Sequence, residues 1–353
     1  MRKMATVRKI DSIRPIPDAD AIECAVVGGW TVVIKKGDFK AGDLAVYCEI
    51  DSWIPTEIAP FLTKPGQEVK EHEGVKGERL RTVRLRGQLS QGLLIPLSVP
   101  YNMVVDKGGF LHTSEDDFYE GEEVSEILGI TKYEPPIPAQ LAGEVKGAFP
   151  GIIPKTDQER IQNLSSELAE WNAERTRWEI TEKLDGSSMT VYMIDGEFGV
   201  CSRNLDLKRN KDNSLWKAAY AQGLEELLEG YQEFDKCNIA LQGELIGEGI
   251  QGNPYKIKGQ KFFLFDVYLI DEGRYMNPSE RHGLIEATGI AHVPLSDMGF
   301  MLVSLTMDEI LAMAEGKSQL NDSTEREGLV FKSMDGKASF KAISNKFLLK
   351  NGG

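Results

Sequence analysis

Through the first third of the chain, apolar and polar positions alternate in short runs. ECAVVGG (23–29), WTVVIKKG (30–37), DLAVYCEID (43–51), LRTVRLRG (80–87) and GLLIPL (92–97) are separated by Gly, Pro and Asp at hairpin-like spacing. About five such strands predict a small all-β unit over residues 1–133, with an OB-fold barrel as the best fit to that number and length. The stretch 134–154, EPPIPAQLAGEVKGAFPGIIP, holds five prolines without periodicity and reads as a linker. Residues 155–353 mix periods. Ile161, Leu164, Leu168 and Trp171 recur at helical spacing, and SLWKAAYAQGLEELLEGY (214–231) reads as one helix. TMDEILAMAEG (306–316) reads as a helix opened by a Thr-x-x-Glu capping box. RWEITEKLDG (177–186), NIALQGEL (238–245) and KFFLFDVYLI (261–270) read as buried strands. Two hairpins turn at Asp195-Gly196 and over residues 334–337. The fold class is therefore α+β: a β-barrel followed by a domain built on antiparallel sheet.

Bulk properties narrow the setting. The four cysteines, Cys24, Cys48, Cys201 and Cys237, stand far apart with no CxxC pair, which argues against a zinc site or disulfide framework and for a reducing, cytoplasmic compartment. No apolar run reaches bilayer length, so no membrane partner is expected. A net charge of −14 excludes a protein coated in basic charge. Two local basic clusters remain: Arg79, Arg81, Arg84 and Arg86 on one predicted strand, and Arg203, Lys208, Arg209 and Lys211.

Lys183 raises the chemical question. A lysine two residues before an Asp-Gly turn is ordinarily a solvated surface group, and Lys-x-Asp-Gly arises by chance in roughly one chain of this length in ten. As a nucleophile, the amine would need its proton affinity lowered by burial, cationic neighbours or a metal. It could then attack a carbonyl or a phosphorus centre. A polyphosphate electrophile would also demand further cations and carboxylates to hold a divalent metal. Such groups stand at the ends of predicted strands: Glu182 and Asp185 beside the lysine, Arg203, Glu244, Glu327, Lys332 and Lys341. Phe265 offers a flat face for a base. Taken singly, each is better read as a surface or core residue.

Together they form an ordered series. TEKLDG, SRN, LQGELIGEG, FFLFDVY, EGLVFK and SFKAISNKFLLK resemble motifs I, Ia, III, IIIa, IV and V of the covalent nucleotidyltransferases, the superfamily of RNA ligases, DNA ligases and mRNA capping enzymes. The resemblance covers residues 180–350 and implies an ATP-grasp-like nucleotidyltransferase domain. It implies Lys183 as the nucleophile forming lysyl-AMP, with Asp185 and Lys341 beside it in catalysis. It implies Glu182, Arg203, Glu244, Phe265, Lys332 and Lys341 as ATP-binding groups. Asp185, Glu244 and Glu327 would hold Mg2+ or Mn2+, directly or through water, with a second ion on the outer phosphates. One position departs from the pattern: Ile343 stands where related ligases carry a second motif V lysine, so that charge would fall to Lys346 or Lys332.

Twelve residues follow Lys341, too few for the C-terminal OB domain of DNA ligases and capping enzymes. The predicted barrel precedes the catalytic motifs, an order that resembles the Naegleria-type and Deinococcus-type RNA ligases, as does the segment PKTDQERIQNL (154–164). The reaction implied is ATP-dependent sealing of 3′-hydroxyl and 5′-phosphate RNA ends, in nicked duplexes during RNA repair, by a monomer. The rivals are a capping guanylyltransferase or DNA ligase, and a non-enzymatic OB-fold RNA-binding adaptor. Labelling with α-labelled ATP or GTP separates them.

Overall fold

The computed structural model describes residues 3–106, 114–134, 143–235 and 237–351. The chain divides into two compact units, Met1–Pro136 with Leu348–Gly353, and Ile137–Phe347. Part of the expected linker, 135–142, lies outside the described residues. Val145–Ala148, in its second half, forms an edge strand of the large sheet.

In the first unit, short strands build four ladders rather than one closed barrel among the described residues. Ala5–Lys9, Leu44–Cys48 and Leu93–Ile95 form one; Ser12–Pro15, Ile22–Val27 and Trp30–Lys35 form a second. The single arginine-rich strand expected at 80–87 does not exist. Val75–Arg79 stops before Leu80, residues 80–82 are not in a strand though Leu80 and Thr82 are buried, and Val83–Leu85 begins a separate hairpin with Gln88–Ser90. Arg79 is drawn to Asp51, with Nη2–Oδ1 at 2.6 Å. One apolar cluster, including Val7, Val46, Ile54, Leu128 and Ile130, underlies the unit.

The second unit holds two antiparallel sheets. The larger has seven strands, among them Ser187–Ile194, Glu197–Ser202, Ile239–Gly247 and Gln260–Leu269. The smaller has four, in the order Leu295–Met301, Arg177–Lys183, Gly328–Ser333, Ser339–Ile343. Asp195-Gly196 makes the expected turn, both residues at positive φ. The Thr306–Glu309 capping box opens the helix Met307–Met313. The expected long helix at 214–231 is two, Ser214–Ala221 and Leu224–Asp235. Gly223 lies between them at φ +62°, a conformation that ends a helix at little cost. Ile161–Asn163 is a 3₁₀ turn and only Ser165–Glu174 is α-helical.

Alternation along Arg177–Lys183 explains the smaller sheet. Trp178 and Ile180 pack with Leu329, Phe331, Phe340 and Ala342 on one face, while Glu179, Thr181 and Lys183 take the other. Phe331 and Phe340 stack with centroids 4.6 Å apart. Phe331→Ala should cost about 3–5 kcal/mol; chemical denaturation followed by tryptophan fluorescence checks this, and a loss under 1 kcal/mol would contradict the packing described.

Candidate active site

Lys183 ends its strand opposite Gly328, the first residue of the neighbouring strand. A Cβ at Gly328 would stand 2.2 Å from the Ala342 carbonyl oxygen, so only glycine lets the Ser339–Ile343 strand close in here. The residue before it, Glu327, thereby reaches the lysine: Nζ–Oε1 is 2.8 Å. After Lys183 the chain crosses to the larger sheet through Asp185-Gly186 and enters Ser187–Ile194. There Ser188 pairs with Glu244 on the adjacent strand. The crossing is held by the Asp185 N–H, which donates to the Tyr255 hydroxyl at 2.6 Å. It is tight as well, since a Cβ on Gly186 would stand 2.5 Å from the Leu245 carbonyl oxygen and 2.9 Å from Glu244 Cγ.

Three carboxylates thus converge on one ammonium. Burial alone would lower the proton affinity of Lys183, but the charges of Glu327, Glu244 and Asp185 outweigh it and hold the amine above its ordinary pKa. The carboxylates feel burial and one another. Glu244 is pushed up to about 8, by burial and by Glu327 and Asp185 against the pull of Lys183. Asp185 is pushed up to about 6, by burial and Glu327. Hard oxygen donors crowded enough to resist ionising together fit a divalent cation of the magnesium or manganese kind.

Known proteins resemble this chain over nearly its whole length. A family model described as RNA ligase covers residues 176–343, and an OB-fold domain model covers residues 4–97. No curated protein sequence matches. Among solved structures, Naegleria gruberi RNA ligase with PPi is 48% identical, covering 99% of this chain and 98% of that one, with a TM-score of 0.85. A mutant of that enzyme with ATP and Mn matches at 48% identity over 98% of both chains, TM-score 0.85. Another mutant with AMP and Mn matches equally in identity and coverage, TM-score 0.86.

The chain belongs to the RNA ligase family.

The ligase brings the remaining expected groups onto the two sheets unequally. Register sets Lys332 and Lys341 on the Lys183 face of the smaller sheet, because Val330 pairs with Lys341 and Thr181. Lys332 is buried, ion-paired to Asp266 (Nζ–Oδ1 2.7 Å) and bonded to the Phe265 carbonyl oxygen. Its Nζ lies 5.6 Å from the centroid of the half-buried Phe265 ring. Desolvation lowers the Lys332 pKa despite Asp266. Lys346, the other candidate for the missing lysine charge, is exposed and paired to Glu315 at 2.7 Å. Glu182 sits apart from the Lys183 side chain. Alternation turns it away from Lys183, and its buried carboxylate accepts from the Gln319 N–H at 2.8 Å.

Residues 154–160, identified in the sequence only as a lead-in, form a strap across both sheets. Gln242 Nε2 donates to the Pro154 carbonyl oxygen, Lys155 bonds Asn204, and Asp157 holds Arg203 at 2.9 Å. On the smaller sheet the Lys341 N–H donates to the Glu159 carbonyl oxygen. Beneath the strap lie two open hollows, one lined by Lys332, Asp266, Arg281 and Tyr275 and the other by Ser188, Thr190 and Arg203. Lys183, Glu244 and Glu327 line neither hollow.

Pattern reading also missed the network behind Lys332. Fully buried Glu179 bonds Arg281 and His282, the latter at 2.7 Å. Arg281 reaches Asp266 at 3.6 Å. With His292, the Glu179 and His282 ligand atoms lie within 4.8 Å of one another. Glu179 and Asp266 already balance Arg281 and Lys332, however, so a dication there would add uncompensated buried charge. The only sequence signal was Glu179 itself, a charge inside an apolar strand. Arg281→Met should destabilise by about 3–5 kcal/mol, because it strands a buried carboxylate, and adding Glu179→Gln should restore part of that loss. Additive losses in a double-mutant cycle would contradict the pairing.

Proposed function

We propose that this ligase uses ATP to join 3′-hydroxyl and 5′-phosphate RNA ends through lysyl-AMP and 5′-adenylylated RNA. The observation that carries the reading is the single lysine held 2.8 Å from Glu327 amid Asp185 and Glu244, in a chain 48% identical to an RNA ligase studied with ATP, AMP, Mn and PPi. That match disfavours the capping enzyme, DNA ligase and adaptor readings.

In step one the unprotonated Lys183 Nζ attacks the α-phosphorus. An N–P bond forms and the bond to the pyrophosphate oxygen breaks. Lys183 must first lose the proton that Glu327 now helps retain. Asp185, Glu244 and Glu327 would hold a divalent cation, which supplies positive charge against the phosphates and against protonation of the lysine. Lys341 and Lys332 offset phosphate charge from the same face. Arg203 and Glu244, next to each other through Ser188, take the ribose, and the Phe265 face takes the base. AMP then passes to the RNA 5′-phosphate, and attack by the 3′-hydroxyl expels it. Alignment and charge neutralisation suffice for each transfer. A nicked RNA duplex as substrate, a role in repair, a monomeric state and an intracellular location belong to the same proposal. Consistent with it, no helix among the described residues is long and apolar enough to cross a membrane.

Lys183→Ala should abolish labelling by α-labelled ATP while the far-ultraviolet spectrum stays unchanged; acid-labile label on the mutant would sink the assignment. Glu327→Ala and Lys341→Ala should each slow lysine adenylylation by about 10²–10³-fold, as loss of a charge stabiliser does. Near-wild-type rates in both would show that these residues lie outside the site. A chelator should abolish labelling and Mg2+ or Mn2+ restore it, whereas labelling that persists in chelator would remove the metal from the mechanism.

A further inference from the structure

The hairpin of the first unit is unusual in what it exposes. Residues 83–87 are five consecutive exposed positions, and they include Val83 and Leu85 at 42% and 44% exposure. The strands Val83–Leu85 and Gln88–Ser90 pair only with each other among the described residues. The second arm is nonetheless firmly rooted. Thr31 Oγ1 donates to the Leu89 carbonyl oxygen (3.1 Å), the Val33 N–H to Ser90 Oγ (3.0 Å) and the Gln91 N–H to the Thr31 carbonyl oxygen (2.8 Å). The first arm and the turn therefore project from a rigid base.

The turn carries a second anomaly. Arg86 and Gly87 sit at φ +47° and +81°, the left-handed pair of a two-residue hairpin turn. Asparagine or aspartate is the usual first residue there, and an arginine strains the backbone by about 1 kcal/mol. Arg84 is spent only locally, its Nη1 donating to the Gly87 carbonyl oxygen at 2.7 Å. Two exposed arginines, Arg84 and Arg86, alternate with the exposed Val83 and Leu85, in a chain whose net charge is −14.

We propose that this hairpin is a docking finger for double-stranded RNA, with Arg84 and Arg86 on phosphates and Val83 and Leu85 against the sugar edges of the shallow minor groove. A-form RNA lines that wide, shallow groove with ribose edges, their 2′-hydroxyls and C–H groups, between two rows of phosphates. Val83 and Leu85 share one face of the first arm, Arg84 takes the other and Arg86 the turn, so the finger offers cations to the phosphates and aliphatic surface to the ribose C–H edges. An acidic protein would satisfy the arginines without needing the aliphatic pair. The inference rests on the ligase reading, and it names the surface that receives the RNA flanking the nick.

The test uses the full-length protein, a nicked RNA duplex and three readouts: lysine adenylylation with ATP alone, binding to the duplex across a salt series, and sealing. Arg86→Gly relieves the strained φ, so the melting temperature should hold or rise while RNA binding weakens. Arg84→Ala with Arg86→Gly should weaken binding about tenfold and make the slope of log affinity against log salt shallower by about 1–2. Val83→Ser with Leu85→Ser should weaken binding without changing that slope. Adenylylation should be unaffected in all three variants. Variants that bind and seal like the parent overturn the finger. So does a surface whose mutation changes self-association alone, since that identifies a contact between copies. A parent that adenylylates itself but seals no RNA overturns the ligase reading instead.

Discussion

The second unit is arranged around one electrostatic constraint: a single ammonium, Lys183, keeps three crowded carboxylates tolerable. Glu327 comes from the smaller sheet, Glu244 from the larger, and Asp185 from the crossing between them. Like charges this close cannot all ionise in a partly buried site without a cation. The lysine fills that role before nucleotide arrives, at the expense of its own reactivity. The sequence left burial, cationic neighbours or a metal as the means of lowering the amine's proton affinity, and burial does act in that direction. The carboxylates reverse that effect, so the resting site is stable and the nucleophile is masked.

Geometry that brings these groups together depends on backbone that cannot be varied freely. At Gly328 and Gly186, each next to a charged residue of the site (Glu327 and Asp185), a side chain would collide with a neighbouring carbonyl oxygen. The glycines of EGLVFK and LDG therefore serve packing, and the chemistry falls to the residues beside them.

Much of the site was legible because strand periodicity predicts faces. Glu179, Thr181 and Lys183 fall on one side, and Lys332 and Lys341 on the same side of the last hairpin. Asp195-Gly196 and the Thr306–Glu309 box were legible for local reasons, turn chemistry and helix capping. Residues acting through distant contacts were not. Tyr255 holds Asp185 across 70 positions, and Arg281 reaches Glu179 across 102. The strap at 154–160 has no periodicity, since its bonds run from main chain and polar tips to two sheets. Adjacency in sequence did not show that alternation places the Glu182 side chain on the opposite face from Lys183, against the Gln319 N–H.

The buried Glu179–Arg281 contact has a bearing on which structure the chain adopts as well as how firmly. Glu179 stands opposite Lys332, four residues before Lys183 on the same strand. Sliding that strand by one position would turn Trp178 onto the charged face and set Glu179 or Thr181, in place of Ile180, opposite Phe331 in the aromatic stack. An apolar residue at position 179 would penalise such a slip far less, because one hydrophobic neighbour substitutes for another. The carboxylate makes the misaligned pairing prohibitive, since it would leave Arg281 buried without its partner. A residue remote from the nucleophile thus acts as a vernier, fixing to the single residue where along its neighbour the lysine stops.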